Sequence, residues 1–341
     1  MQALTFVEAG RVEWREAKAP VLGGPAEALV KPLAVSRCDL DSVIARGKAP
    51  APGPFPLGHE CVAEVVAIGD AVKGVRPGDH VIVPFQISCG ACPPCTKGHT
   101  GSCSAVPKLS AYGLGPFGGG DTFRGALSDL LRVPFADAML VRLPSGVDPV
   151  VAAALGDNAV DGFRTVAGPL AREPGAKVLV AAGGAPSVGL YAVASAVALG
   201  ASEVVYVDPS EERAALAEKL GAKVVRAKCE ESLRVGRFPI TVDATGREEG
   251  LRFVLRSTDV YGECTSVGIY FGDVPFPLLD LYTRGIRFTT GRVNLRADLP
   301  TMLGAVSERA LDLTTVATRI VTRSEAAAAW TEPATKLVVR M

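Results

Sequence analysis

The chain has 341 residues, 48 % of them hydrophobic, and its 36 basic side chains balance 36 acidic ones. This length allows two domains, each with its own core, and a net charge of zero without a long Lys/Arg run argues against nucleic-acid partners. Residues 1–10 alternate like a strand and lack the segments of a signal peptide, so we expect a cytoplasmic location. The apolar stretches are too short or too interrupted to cross a bilayer, and no membrane association is expected.

Residues 1–150 are rich in Gly and Pro and contain short runs in which apolar and polar side chains alternate. Clear examples are residues 28–35, 61–68 and 80–84. A period of two places one face of a strand inward and the other in water. The pattern therefore predicts an irregular β-barrel-like domain with little helix.

Four cysteines lie within residues 89–103 in a C-x₂-C-x₂-C-x₇-C spacing, namely Cys89, Cys92, Cys95 and Cys103. Such a short loop can wrap four thiolates around one tetrahedral Zn²⁺. Because sulfur fills every position, no site remains for a substrate, and the metal would be structural. Disulfides are the competing interpretation, but nothing indicates an oxidising compartment and the loops closed would be small.

From residue 151 the pattern changes to apolar strand, glycine turn and long helix, with strands at 177–182 and 203–208 and helices at 187–199 and 211–220. Further strands are predicted at 223–226, 240–246, 263–268 and 286–291. Strands that alternate with helices indicate βαβ crossovers and a parallel sheet. Six strands suit a doubly wound Rossmann sheet in an α/β fold.

The last fifty residues contain one Ala-rich helix and a final strand, 336–340, which could return to the first domain. The predicted domains are therefore 1–150 with 292–341, including the lobe at 89–103, and 151–291.

A glycine turn follows the strand at 177–182 and opens a helix, as in a dinucleotide-binding motif. The residues expected to approach a pyrophosphate are Gly184, Pro186, Ser187, Val188 and Gly189. Pro186 replaces the middle glycine, lacks an N–H and adds a ring where backbone should approach the phosphate. Proline is compatible with the first helical position, so the turn itself is preserved.

Asp208 ends the next strand, 24 residues after Gly184. An acidic side chain there would bind the adenosine ribose and repel a 2′-phosphate, which favours NAD over NADP. The alternative is that Asp208 caps the helix that begins near Ser210.

Cys38, His59 and Asp157 are candidates for a second, catalytic metal centre. A thiolate, an imidazole and one further ligand leave the fourth zinc position open for water or a substrate oxygen. Each residue also has a simpler interpretation. Cys38 could be a small apolar core residue, His59 a hydrogen-bonded loop histidine, and Asp157 a helix cap.

The chain resembles the zinc-dependent medium-chain alcohol dehydrogenases over nearly its full length. The matching motifs are Gly58-His59-Glu60 with Gly69 downstream, the four-cysteine lobe, residues 75–81, the glycine turn and the strand ending at Asp208. The branch it resembles most is that of the glutathione-independent formaldehyde dehydrogenases, through residues 84–85, 99–103 and 133–137.

The resemblance implies a GroES-like catalytic domain and a Rossmann domain that binds NAD. It also implies that Cys38, His59 and Asp157 bind a catalytic Zn²⁺, with Glu60 beside it as an outer carboxylate or exchangeable ligand. With the structural ion, two Zn²⁺ per chain are expected. The implied activity is hydride transfer between an alcohol, or an aldehyde hydrate, and NAD.

Besides Pro186, three positions depart from the family. Leu40 stands where relatives usually place the Ser or Thr that passes on the alcohol proton, so Asp41, Ser42 or water would have to substitute. Asp161 stands where relatives often place a Thr against the nicotinamide, and its charge could favour NAD⁺. Ala63 replaces a glycine after the Gly58-His59-Glu60 motif.

These departures leave two alternatives. One is a zinc-independent NAD(P)H carbonyl or double-bond reductase, against which the trio Cys38, His59 and Asp157 argues. The other is a non-catalytic NAD-binding protein of the same fold, supported by Leu40 and Pro186.

The glycine-rich loop 112–123 contains two Phe and one Tyr and is expected near the substrate cleft, or else as an ordinary solvent loop. The substrate is expected to be a small alcohol or aldehyde. By resemblance, the edge strand at 286–291 extends a sheet across subunits, which implies a homodimer or homotetramer.

Overall fold

A computed structural model describes residues 1–120, 122–309 and 311–341 of the chain. They form two compact units, one of Met1–Asn158, Asn294–Pro300 and Ala317–Met341, and one of Ala159–Val293 and Thr301–Val316. The second unit includes Thr301–Val316, which the sequence-based division assigns to the first domain.

The first unit consists mainly of strands. Its elements up to residue 152 are β1 (Gln2–Glu8), β2 (Arg11–Glu16), β3 (Ala28–Ser36), α1 (Asp39–Ala45), β4 (Phe55–Pro56), β5 (Glu60–Ile68), β6 (His80–Val83), α2 (Pro93–Thr96), β7 (Leu131–Val133), α3 (Ala136–Met139), β8 (Val141–Arg142) and α4 (Pro149–Ala152). The three strands predicted at 28–35, 61–68 and 80–84 are confirmed as β3, β5 and β6.

The second unit alternates strands and helices. Its elements are α5 (Asn158–Arg172), β9 (Val178–Ala182), α6 (Pro186–Ala198), β10 (Val204–Val207), α7 (Glu211–Lys219), β11 (Lys223–Val225), β12 (Phe238–Ala244), α8 (Glu248–Ser257), β13 (Thr258–Ser266), α9 (Leu278–Arg284), β14 (Arg287–Thr290) and the second half of α10 (Leu295–Arg309).

The six strands of the second unit form one parallel sheet in the order β11-β10-β9-β12-β13-β14. The strand order reverses between β9 and β12, and ligands of doubly wound sheets bind at the carboxyl ends of the strands beside such a point. The central strands β9 and β10 are buried along their whole length. This is expected of a parallel sheet that is covered by helices on both faces. The predicted doubly wound six-stranded sheet is confirmed.

The C-terminal segment returns to the first unit. It contains β15 (Arg319–Thr322), α11 (Ala326–Thr331) and β16 (Leu337–Arg340). β16 pairs with β3, so the larger sheet of the first unit has the order β15-β16-β3-β5-β6-β8, with β7 also on β3. Among the described helices, none is both long and apolar enough to cross a bilayer.

The loop 112–123 differs from the expectation at its first aromatic residue. Tyr112 is buried in the core of the first unit, and its hydroxyl donates to the carbonyl oxygen of Arg132 at 3.0 Å. Phe117 and Phe123 pack against the same core, so the aromatic residues of this loop stabilise the unit. Asp121 of the loop lies outside the described residues.

Candidate metal centres and nucleotide-binding turn

Cys38, His59, Glu60 and Asp157 lie together inside the first unit. One potential ligand atom of each lies within 4.8 Å of those of the others, and all four residues are buried. The antiparallel pairing of β3 with β5 places Ser36 opposite Glu60. Cys38, just after β3, therefore lies near His59, just before β5.

Two glycines allow these segments to approach. Gly58 has a φ of +91°, and a Cβ atom there would lie 2.8 Å from the amide nitrogen of Leu127. Gly156 precedes Asp157, and its Cβ would lie 2.7 Å from the amide nitrogen of Cys61. Because real Cβ contacts are not this short, side chains at either position would displace His59 or Asp157.

His59 is buried and its two ring nitrogens face carboxylates. Nδ1 lies 3.6 Å from Oδ2 of Asp41, and Nε2 lies 3.3 Å from Oδ2 of Asp157. Neither nitrogen makes a hydrogen bond of good geometry to the described residues. Burial lowers the pKa of His59, but Asp41, Asp157 and Glu60 raise it by more, to about 9. The site therefore favours a positive charge at the imidazole.

The pKa of the Cys38 thiol is affected by the same carboxylates. Burial, followed by the charges of Asp41, Asp157 and Glu60, raises its pKa well above the usual value. A thiol, an imidazole and a carboxylate are the donors that zinc prefers. A divalent cation among them would neutralise the carboxylates, bind the unsatisfied histidine nitrogen and lower the thiol pKa. The residues present therefore fit a zinc ion.

Glu60 is held by a network that the sequence analysis did not identify. Nζ of Lys336 lies 2.6 Å from Oε2 of Glu60 and donates to Oδ1 of Asn158 at 2.7 Å. Ser36 donates a short hydrogen bond to the same carboxylate. Burial raises the pKa of Glu60 to about 7, against the lowering effect of Lys336. Lys336 and Ser36 thus fix the carboxylate beside the cluster.

The four cysteines of the lobe also come together. One ligand atom of each lies within 4.8 Å of the others, and all are free thiols. Amide N–H groups point at the sulfurs, such as Cys92 N to Cys89 Sγ at 3.3 Å and Ser104 N to Cys92 Sγ at 3.4 Å. Hydrogen bonds from Cys95 and Ser104 lower the pKa of Cys92 to about 5, whereas burial raises the pKa of Cys95 to about 12 and that of Cys103 as well. Among these thiols, the loop favours the thiolate form, which binds zinc, at Cys92.

The glycine turn connects β9 to α6. Gly184 N donates to Thr245 O at 2.8 Å and Ala185 N to Ala244 O at 2.9 Å, so the turn is tied to the end of β12. A Cβ on Gly184 would lie 2.8 Å from Thr245 O, which explains the glycine. Pro186 is the first residue of α6, as its compatibility with that position predicted. Ser187, Val188 and Gly189 follow in the first turn of the helix, buried.

Asp208 directly follows β10 but is fully buried. Arg213 binds it in a bidentate manner, through Nε at 2.6 Å and Nη2 at 2.7 Å. The carboxylate also accepts from Ser210 N at 2.8 Å and from Tyr206 Oη at 3.0 Å. Ser210, not Asp208, is the N-cap of α7. Sequence reasoning missed Arg213, although it lies only five residues from Asp208.

The departures from the family pattern have local explanations. Asp161, in the first turn of α5, accepts a hydrogen bond from Arg164 Nε at 2.6 Å, so its charge is compensated within the helix. Leu40 is half-buried, and its amide donates to Cys38 Sγ at 3.2 Å. Asp41 is buried and accepts from Cys38 N at 3.0 Å, which places it between the cysteine and His59.

Comparisons with known proteins agree with this arrangement. Residues 24–145 match the alcohol dehydrogenase GroES-like domain, and residues 187–308 match the zinc-binding dehydrogenase domain. A medium chain reductase/dehydrogenase of Acremonium is 30 % identical over 83 % of this chain and 98 % of its own length. A zinc-type alcohol dehydrogenase of Aspergillus flavus is 27 % identical over 96 % of this chain and 77 % of its own length.

Among the similar proteins is also a glutathione-independent formaldehyde dehydrogenase of Pseudomonas aeruginosa, 32 % identical over 65 % of this chain and 58 % of its own. The crystal structure of an alcohol dehydrogenase of Thermus sp. ATN1 superposes with a TM-score of 0.88 at 30 % identity, covering 100 % of this chain and 99 % of that one. Fold and site together define a zinc-binding oxidoreductase with a GroES-like and a Rossmann domain. More specifically, the chain belongs to the zinc-dependent medium-chain alcohol dehydrogenase family.

Proposed function

We propose that this protein transfers a hydride between a small alcohol, or an aldehyde hydrate, and NAD. The observation that carries the proposal is the buried group of Cys38 Sγ, His59 Nε2 and an Asp157 oxygen, close enough to share one ion. Three ligands leave a fourth position of a tetrahedral zinc open for substrate. When bound there, zinc lowers the pKa of an alcohol or polarises a carbonyl.

The residues around the cluster have separable roles in this proposal. Cys38, His59 and Asp157 hold the ion. Asp41, 3.6 Å from Nδ1 of His59, orients the imidazole so that Nε2 points at the ion. Glu60 is kept in place by Lys336 and Ser36, and it tunes the ligands from outside or exchanges with one of them.

Leu40 cannot carry a proton, so the proton of the alcohol needs another route. Asp41 and Ser42 lie in the same helix α1, and Oδ2 of Asp41 lies 3.6 Å from Nδ1 of His59. We propose that a water molecule hydrogen-bonded to the substrate oxygen relays the proton towards Asp41 or Ser42. The protein's contribution is the buried carboxylates, which stabilise positive charge there.

The second unit is proposed to bind the coenzyme at the carboxyl edge of its sheet, where the glycine turn and Asp208 lie. The pyrophosphate would approach the first turn of α6, at Gly184, Pro186, Ser187, Val188 and Gly189. NAD is the proposed coenzyme because Asp208 disfavours a 2′-phosphate. With the four-cysteine lobe, the proposal gives two Zn²⁺ per chain.

Asp208→Ala tests the coenzyme assignment. The substitution removes the carboxylate that holds Arg213, and the freed guanidinium can then bind a 2′-phosphate. We expect the Kd for NAD⁺ to rise and the preference over NADP⁺ to fall, each by roughly tenfold, as loss of a charged hydrogen bond predicts. Fluorescence titration with both coenzymes measures this. Glu211→Ala, an exposed acid at the start of α7, is the control, and an unchanged preference in Asp208→Ala would refute the assignment.

A homodimer or homotetramer is proposed on the edge of the second unit. β14 is the last strand of its sheet, and α9 next to it exposes Leu278, Leu279 and Tyr282 by 70–83 %. Apolar side chains this exposed on an edge element are typical of a buried interface. Light scattering after size exclusion measures the mass. A monomer at all concentrations would refute the proposal.

A panel of alcohols and aldehydes assayed with NAD⁺ and NADP⁺ tests the reaction. We expect NADH formation from at least one small alcohol or hydrated aldehyde, lost on removal of the metal and restored by Zn²⁺. Primary alcohols, secondary alcohols, polyols and aldehydes form the arms of the panel. Turnover that survives complete loss of zinc would instead support a zinc-independent reductase.

A further inference from the structure

A groove of about 660 Å³ in the second unit carries an unusual density of positive charge. Its lining includes five arginines: Arg234, Arg237, Arg252, Arg256 and Arg284. Only two lining residues are acidic, Glu231 and Asp280. Five positive and two negative side chains give the lining a net charge of +3, in a chain whose own net charge is zero.

The groove lies at the edge of the sheet opposite to the nucleotide turn. Residues 231–237 lead into the amino end of β12, α8 leads into β13, and α9 leads into β14. Because all six strands are parallel, their amino ends share one edge. The glycine turn after β9 and Asp208 after β10 lie at the other edge. The groove is therefore separate from the proposed coenzyme site.

Two of the arginines are committed to the fold. Arg284 is buried, donates to the carbonyl oxygens of Leu255 and Thr258, and pairs with Asp280 through Nε at 3.0 Å. Arg252 pairs with Glu248 of its own helix, Nε to Oε1 at 3.1 Å. These two side chains form the inner wall of the groove, where contacts within the fold hold them in place.

The other three arginines are exposed and leave donor groups for a ligand. Arg256 lies four residues after Arg252 on the same face of α8 and has a salt bridge to Glu231. Arg234 donates only through Nη1, to carbonyl oxygens of its own loop. Within the described residues Arg237 makes neither a hydrogen bond nor a salt bridge, and its charge acts on Asp280 only at longer range.

We propose that this groove binds a small molecule that carries at least two phosphate groups. Guanidinium groups form bidentate, charge-assisted hydrogen bonds with phosphate oxygens. Arg234, Arg237 and Arg256 keep donor groups for such bonds after their contacts within the fold are counted. The volume suits a small organic ligand. Leu233, Val235 and Pro277 line the groove as well and provide an apolar surface for the organic part of that molecule.

Fructose 1,6-bisphosphate is a suitable probe because its two phosphates are separated by a sugar. Isothermal titration of the zinc-loaded protein, saturated with NAD⁺ to occupy the coenzyme site, should show one bound equivalent per chain. Fructose 6-phosphate should bind at least about tenfold more weakly, since it offers half of the charge-assisted hydrogen bonds. Equal affinities for the two sugars, or no binding, would overturn the proposal. Binding that NAD⁺ abolishes would place the probe in the coenzyme site and would also overturn it.

Arg237→Gln identifies the groove as the site of binding. Since Arg237 makes no hydrogen bond or salt bridge among the described residues, the substitution should leave the melting temperature unchanged. It should weaken the binding of fructose 1,6-bisphosphate by about tenfold. The double variant with Arg256→Gln should weaken it further. Arg226→Gln is the matched control, because this exposed arginine pairs with Glu211 outside the groove. Equal losses in Arg226→Gln and Arg237→Gln would show a nonspecific charge effect and refute the site. The titration needs no turnover, so it is independent of the proposed hydride transfer.

Discussion

The first unit contains two groups of potential zinc ligands that are built in opposite ways. The lobe draws four sulfurs from fifteen consecutive residues, 89–103, and lies partly exposed. The other cluster draws sulfur, nitrogen and oxygen from Cys38, His59 and Asp157, which are far apart in sequence and buried. Four thiolates complete a tetrahedron, whereas three mixed ligands leave one position open. The comparison supports the proposal that a metal in the lobe would stabilise a loop, whereas one in the buried cluster could meet a substrate.

The two groups also differ in what surrounds them. Backbone N–H groups donate to the lobe sulfurs, so the short turns of the loop fit it for the proposed ion. Charged side chains surround the other cluster, namely Asp41, Glu60 and Lys336, all without solvent exposure or nearly so. Buried charges cost free energy unless they are paired. The structure thus places a destabilising arrangement where chemistry is proposed, as active sites commonly do.

His59→Ala should produce the largest effect on function. Loss of the imidazole lowers occupancy of the buried cluster, and kcat/KM should fall by roughly a thousandfold, because metal catalysis supplies several kcal/mol. Steady-state kinetics and zinc analysis measure both effects. His80→Ala, on the exposed side of β6, is the control. If the His59→Ala variant loses one zinc per chain and keeps full activity, the cluster is not catalytic.

Lys336→Met should mainly affect stability. It leaves the Glu60 carboxylate buried without its cation, and the free energy of unfolding should fall by about 3 kcal/mol. Urea denaturation measures the change, with exposed Lys31→Met on β3 as the control. The double variant with Glu60→Gln should recover part of the loss, because no buried charge remains uncompensated. An unchanged unfolding midpoint in Lys336→Met would contradict the buried ion pair.

Cys92→Ser should affect the lobe and leave the chemistry intact. Opening the four-sulfur site removes metal-binding free energy from folding, and the melting temperature should fall by roughly 5–10 °C, equivalent to a few kcal/mol. The protein should lose one zinc while its kcat at low temperature changes little. Ser102→Ala in the same loop is the control. A large loss of kcat with an unchanged melting curve would reverse the roles of the two groups.

The features found from sequence are those encoded locally. Spacing alone predicted the cysteine lobe, and the period of side chains predicted β3, β5, β6 and the six-stranded sheet. The glycine turn and Pro186 at the start of α6 were equally local. In each case the residues that interact lie within one or two elements, so their pattern is visible in the chain.

The features missed depend on contacts that sequence spacing does not reveal. Lys336 lies 276 residues from Glu60, and only the pairing of β16 with β3 brings it to the cluster. Arg213 forms a bidentate salt bridge with Asp208. This contact could not be predicted because it depends on where α7 starts. Each of these interactions depends on how the elements pack, which the sequence pattern does not show.

Anomalous X-ray diffraction at the zinc edge, on crystals of the purified protein, tests the central claim most directly. We expect two peaks per chain. One should lie among the four lobe sulfurs, and the other should lie bonded to Cys38 Sγ, His59 Nε2 and an Asp157 oxygen, with a water or substrate oxygen as the fourth ligand. A single peak in the lobe, from protein active in hydride transfer, would contradict the proposed catalytic centre.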